Sequence, residues 1–294
     1  METSELLKKV RKIEIKTRAL SKNIFAGQYH SAFKGKGMAF SEVREYQYGD
    51  DIRSIDWNVT ARFNHPYIKI FEEERELTVM LLVDVSGSRA FGTQKQLKRD
   101  LMAEIAAVLS FSTIQNNDKI GMIMFSDKIE KFIPPKKGRQ HTLRIIRELI
   151  EFEPVSTKTD ISEALRYLTN AIKKKSTSFV ISDFLDYDHN KGAMNFEEAL
   201  RIANRKHDVV ALRIFDQREK NIPAIGLVKM LDAETGSERW IDTSDYQTRN
   251  AMHQWWYSFE NKLSDVFKKS NVDNTMFFTG NDFVKPLTQL FKNR

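Results

Sequence analysis

The chain has no cysteine, few turn-formers (6 prolines and 12 glycines in 294 residues) and no long apolar run. Without cysteine there can be no disulfide, thiolate metal site or cysteine nucleophile, and a reducing compartment is expected. Scarce glycine and proline, beside 41% hydrophobic and 30% charged residues, exclude wholesale disorder. No stretch approaches the roughly 20 apolar residues that span a membrane as a helix. The opening "METSELLKKVRKIEIKTRAL" is too charged for a signal peptide, so the expected location is the cytoplasm. Neither sign of charge dominates, since 47 Lys and Arg face 40 Asp and Glu for a net charge of +7. The basic residues are spread out, with no zinc finger, recognition helix or RNA-reading aromatic signature, so specific nucleic-acid binding is not expected. His30, His65, His141, His189, His207 and His253 lack metalloprotease spacing. Neither a Gly-x-Ser-x-Gly elbow nor a phosphate-cradling glycine loop occurs.

What is present is periodicity. Leu6, Val10, Ile13, Thr17 and Leu20 fall three and four apart and predict an amphipathic helix. Its basic face (Lys8, Lys9, Arg11, Lys12, Lys16, Arg18) can touch a membrane surface peripherally, but the thin apolar stripe favours packing on its own domain. From Gly27 to Glu76 the helical period is lost, and short alternating pieces predict strands and loops. There Asp50, Asp51 and Asp56 stand among Arg44, Arg53 and Arg62. That reads as a structural ion-pair network anchored by Trp57 rather than an acid–base pair.

After Glu76, apolar strands ("LTVMLLVDV", "KIGMIMFS", "TSFVISDF", "HDVVALRIF") alternate with amphipathic helices. A hairpin is predicted to turn at Glu234-Thr235-Gly236. A long helix follows, with Met252, Trp255, Trp256, Phe259, Leu263, Val266 and Phe267 as its core stripe. The expected class is α/β: a doubly wound, mostly parallel, Rossmann-type sheet over 77–294, with a small helix-plus-β module over 1–76.

Open parallel sheets bind ligands at the carboxyl ends of their strands. In "LLVDVSGSRAFG" the aspartate Asp84 ends the first strand of this region, and Ser86 and Ser88 follow around a glycine. Thr159, with Asp160, precedes a helix in "STKTDISEAL". Asp183 follows Ser182 at the end of "FVISDF". Asp84, Ser86, Ser88, Thr159 and Asp183 thus offer hard oxygen donors from three loops, the set that Mg²⁺ or Mn²⁺ takes with water in its remaining positions. Singly, each also fits a helix cap. The order of the three loops points to a metal, and an ion with so few anionic ligands would accept a carboxylate from a partner.

"DVSGS", "TKTDI" and "SDF" in this order resemble the metal-ion-dependent adhesion site of von Willebrand factor type A domains. Carried over, the resemblance makes Asp84, Ser86 and Ser88 the first loop, Thr159 the second and Asp183 the third. "GKGMAFSEVREYQYGDDIRSIDWNVTARFNHPYIKIFEEERE", leading into "DVSGS", resembles the bacterial domain-of-unknown-function fifty-eight family. That family is similar to proteins that accompany MoxR-type AAA+ ATPases, which implies a chaperone-like adaptor whose partner is such an ATPase or its client. The sequence departs from the pattern at Lys158 and Phe184, where glycine is common, and at Arg89 beside the second serine. A non-enzymatic interaction module is therefore expected. The alternatives are a Mg²⁺- or Mn²⁺-dependent hydrolase with Asp160 or Asp183 as base, and nucleic-acid binding through the basic surface.

Overall fold

The computed structural model describes residues 39–72, 77–92, 96–188, 192–233 and 236–294. The helix expected over Leu6 to Leu20 lies outside them. The chain divides into two compact units, one within Phe33–Leu77 and one carrying Thr78–Arg294.

In the smaller unit β1 (Ala39–Glu45) and β2 (Tyr67–Glu72) pair antiparallel. Strands and loops alone were expected here, but Trp57–Phe63 forms a helix, α1. Its signals are its ends: Asp56 accepts from Asn58 N at 3.0 Å and Val59 N at 3.3 Å, and Asn64 stops it at φ 59°. The acid–arginine cluster also differs from the expected network. Arg44 and Asp50 form a two-pronged pair at 2.9 and 2.8 Å. Asp51 caps a short 3-10 turn, and Asp56 pairs with Lys69 at 3.4 Å rather than with an arginine. Trp57, expected as the apolar anchor, is 67% exposed at the start of a helix none of whose residues is buried.

The larger unit begins with β3 (Thr78–Asp84), α2 (Lys98–Gln115), β4 (Lys119–Phe125), β5 (Ile129–Lys136) and α3 (Arg139–Glu151). Then come α4 (Ile161–Ala171), β6 (Thr177–Ser182), a small hairpin of β7 (Tyr187–Asp188) and β8 (Ala193–Met194), α5 (Glu197–Lys206) and β9 (Asp208–Phe215). The chain continues through α6 (Gln217–Lys220), a hairpin of β10 (Leu227–Leu231) and β11 (Glu238–Asp242), α7 (Tyr246–Lys269), β12 (Asp273–Phe278) and α8 (Val284–Lys292). Six strands form one sheet in the order β12-β9-β6-β3-β4-β5. Every neighbouring pair is parallel except β4 with the edge strand β5.

The inner strands read as unbroken apolar runs because helices cover both faces. On one face α4, α5 and α7 pack over Met80, Leu82, Val180 and Ala211. Phe179 points the other way and meets Phe291 of α8 edge-on at 6.1 Å. Trp255 leaves the predicted stripe of α7: it is 40% exposed and stacks on Phe259, while Trp256 is buried against Phe215. Consecutive positions can both be buried on this stripe, as Val266 and Phe267 are, and Trp255 falls at its edge.

From β3 the chain moves outward to β4 and β5, then returns to the other side of β3 with β6. Strand order therefore reverses between β3 and β6, which opens a crevice at their carboxyl ends.

Candidate functional site at the β3–β6 switch

Asp84 is the last residue of β3, and Asp183 directly follows β6. Both are buried, with Ser86 and Ser182 also fully enclosed. Ser182 Oγ donates to Asp84 Oδ2 at 2.6 Å, and Ser86 N donates to Asp84 Oδ1 at 2.9 Å. Ser86 precedes the 3-10 turn Gly87–Ala90 but makes no side-chain capping bond to it. Its Oγ lies 3.3 Å from Ser88 Oγ instead. The capping explanation fits the second loop better, since Asp160 Oδ1 accepts from Glu163 N at the start of α4.

Thr159 sits half-buried beside that cap and makes no hydrogen bond to the other four predicted residues. Its loop is nonetheless fastened to the first one, because Gly87 N donates to Thr157 O at 2.9 Å, and to the end of β4, where Asp160 N donates to Ser126 O at 2.9 Å. Gly87 is needed for this approach. A Cβ there would stand 2.2 Å from the Ala233 carbonyl oxygen, beyond β10, and 3.3 Å from Thr157 Cβ. Hence the two serines, the second loop and the chain leaving β10 meet at one glycine.

The carboxylates are electrostatically loaded. Burial, then the Asp183 charge, push the Asp84 carboxyl up to about 6, against the hydrogen bonds from Ser182 and Ser86 that favour ionisation. Asp183 is held by Leu185 N on Oδ1 at 3.2 Å and by Lys98 Nζ on Oδ2 at 3.0 Å. Lys98, the first residue of α2, is fully buried and also pairs with Glu219 Oε1 at 2.5 Å. Burial pulls its ammonium down, but Asp183 and Glu219 outweigh that and hold it above its usual value. The contacts continue along the sheet edge. Glu219 Oε2 accepts from Asp216 N at 2.9 Å, and Asp216 Oδ2 accepts from Thr279 Oγ1 at 2.6 Å.

The residues that depart from the resemblance are placed by the structure. Lys158 is exposed. Arg89 turns back to donate to the Phe152 carbonyl oxygen at 2.5 Å. Phe184 adopts the left-handed conformation, φ 59°, that explains why glycine suits this position. Its ring, fully buried, meets Phe267 edge-on at 5.3 Å and Phe196 at 5.7 Å, and that packing holds the strained backbone. Among the described residues, no three His, Cys, Asp or Glu side chains converge as a metal cluster. An ion at this edge would thus depend on hydroxyl oxygens as much as on carboxylates. Of the two candidate bases of the hydrolase alternative, Asp160 places one oxygen on its helix cap and Asp183 is salt-bridged to Lys98.

A family model described as protein of unknown function DUF58 matches residues 42–258. The chain belongs to this family. It is 31% identical over 232 residues to the uncharacterised protein Rv1480 of Mycobacterium tuberculosis, covering 78% of this chain and 71% of that protein. Among solved structures, an aerotolerance-related membrane protein from Bacteroides fragilis superposes with a TM-score of 0.50 at 17% identity, over 74% of this chain and 100% of that one. A von Willebrand factor type A protein from Catenulispora acidiphila superposes with a TM-score of 0.40 at 9% identity, over 77% and 43% of the two chains. The likeness to the Bacteroides fragilis protein bears on the fold alone, which is the mostly parallel α/β sheet that the sequence predicts. Among the described residues no helix is long and apolar enough to cross a membrane.

Proposed function

We propose that this DUF58 protein is an interaction module that holds a divalent cation, Mg²⁺ or Mn²⁺, at the β3–β6 crevice and uses it to bind an acidic residue of a protein partner. Ser86, Ser88 and Thr159 would contribute hydroxyl oxygens, with Asp84 and Asp183 behind them. By family resemblance the partner is a MoxR-type AAA+ ATPase or its client.

The observation that carries this reading is the pair of serine hydroxyls 3.3 Å apart, with Ser86 making no capping bond, backed by two buried carboxylates. Oxygens at adjacent corners of an octahedron of about 2.1 Å radius lie about 3.0 Å apart, so the pair fits a magnesium-sized ion with little movement. A buried carboxylate pair also favours a cation, since burial first and the Asp183 charge second raise the Asp84 carboxyl. When bound, the ion supplies a Lewis-acidic position for a carboxylate. The protein's own part is to orient the hydroxyls and keep the carboxylates hydrogen-bonded.

The test is calorimetric titration of Mg²⁺ into the full chain and Asp84→Ala, followed by capture of a purified MoxR-type ATPase in Mg²⁺ or in EDTA. Saturable binding and Mg²⁺-dependent capture are expected for the wild type and neither for the variant. If Asp84→Ala retains the ATPase in EDTA, the reading fails.

A further inference from the structure

Lys98 is the least expected charge in the molecule. It occupies the first turn of α2, where the helix dipole opposes a cation, and no part of it reaches solvent. Burying an ammonium there costs stability that a leucine at the same position would not. Its Nζ is placed between Asp183 Oδ2 at 3.0 Å and Glu219 Oε1 at 2.5 Å, and it lies 5.9 Å from the centre of the Phe91 ring. Glu219 is itself fixed, because its other oxygen accepts from Asp216 N, which completes the capping box of α6. The far end of the bridge is therefore anchored to the carboxyl edge of β9 and cannot follow Asp183 if Asp183 moves.

We propose that Lys98 is the positioning residue of this site: bridged to Glu219, its ammonium holds Asp183 back from direct bonding to a bound divalent ion, so that the ion is left free to take a partner's carboxylate. This deepens the metal-dependent reading and rests on it. Asp183 has both oxygens engaged, Oδ1 by Leu185 N and Oδ2 by Lys98, and the strong, charge-assisted contact is the lysine's. A carboxylate so held reaches the ion through water and leaves it electrophilic. Released, the same carboxylate would become an inner ligand, tighten the ion and cancel the charge that a partner's acid requires. Lys98 thus exchanges metal affinity for partner affinity.

The experiment titrates Mn²⁺ into the full chain while reading two quantities: its dissociation constant, and the number of exchangeable waters on the ion from water-proton relaxation. Lys98→Met removes the ammonium at similar volume. Lys98→Met/Glu219→Gln removes the ammonium together with its second carboxylate partner, so that Asp183 alone loses a charged partner, and it keeps the test open if the single variant does not fold. In the untethered proteins Mn²⁺ is expected to bind about tenfold more tightly, because a buried positive charge no longer repels it, and to carry one water fewer. Adding Asp183→Asn to the double variant should restore the lost water. Untethered protein that folds, yet keeps the wild-type water count, overturns the positioning role of Lys98 whatever its dissociation constant, since loss of the ammonium charge alone tightens the ion. Mn²⁺ that fails to bind the wild type, or binds Asp84→Ala equally well, overturns the metal site itself, which is a different result.

Discussion

Replacing Asp84 by asparagine should stabilise the metal-free protein while abolishing its response to Mg²⁺. The Asp84 carboxyl is raised from 3.8 to about 6 by burial first and the neighbouring Asp183 charge second. At about 1.4 kcal/mol per unit, ionising it in the folded state costs about 3 kcal/mol relative to the unfolded chain. Asparagine removes that penalty and keeps Oδ1 as acceptor for Ser86 N. Its Nδ2 cannot accept from Ser182 Oγ, whose hydroxyl already receives Phe184 N, and the lost bond offsets about 1 kcal/mol. The net gain at neutral pH is then about 2 kcal/mol. For a carboxyl raised on folding, the penalty is absent below the unfolded value, grows as pH rises from 3.8 to about 6, and is complete above. Urea unfolding in EDTA at pH 7.5 and pH 4 reads this directly: the variant should be the more stable protein at the first pH and lose its advantage at the second. Millimolar Mg²⁺ should then stabilise the wild type alone. An asparagine variant less stable than the wild type at pH 7.5 in EDTA would refute the reasoning, since it would mean that the hydrogen bonds from Ser182 and Ser86 outweigh burial.

His207 has the opposite slope. Buried beside Ser176 and pushed down to about 4 by burial and then by Lys206, it stays neutral in the fold, so stability falls as pH drops from about 6.5 to about 4. The loss amounts to as much as about 3 kcal/mol. The two slopes overlap, so urea midpoints of the wild type should change little with pH between 4 and 6, and those of Asp84→Asn should fall steeply. Phe184→Gly should relieve about 1 kcal/mol of left-handed strain but lose the buried ring. A net destabilisation of about 2–4 kcal/mol by chemical denaturation is expected, although glycine is the residue the backbone prefers. Gly87→Ala, with its Cβ 2.2 Å from a carbonyl oxygen, should leave a folded protein whose Mg²⁺ affinity is down by about tenfold, because the serine loop or the chain beyond β10 must give way.

The larger unit was legible because a parallel strand buried on both faces leaves a plain trace. β3, β4, β6 and β9 are runs of apolar residues bounded by polar ones, and the edge pair β4–β5 follows at hairpin distance. The failures are local and have local causes. α1 is too short for a period, so only its caps announce it. Trp255 was placed on the stripe by its spacing, three residues after Met252 and four before Phe259, but it lies at the stripe's edge, and sequence does not show how far the opposing surface reaches. Trp57 was made an anchor because aromatics usually are, where burial depends on an opposing surface that sequence does not display.

The candidate site was legible only in its acceptors. Asp84 and Asp183 stand at strand ends, and Ser86 and Ser88 at the first loop, where chain order alone places them. The donors that hold the carboxylates escaped notice. Ser182, which binds Asp84, stood next to a residue already chosen. Glu219 sits in the charged run "DQREK". Lys98 did leave a signal: it lies three residues before Leu101 and seven before Ile105, on the apolar stripe of α2, where a lysine has no ordinary reason to be. A charge on a buried stripe implies an opposite charge across the fold, and here it implies two, Asp183 and Glu219. Linked in this way, the ends of β3, β6, β9 and β12 form one polar seam from Asp84 to Thr279. Apolar packing could fill the same volume at no loss of stability. Such a seam stands at the edge where strand order reverses, which is where the proposed ion would sit.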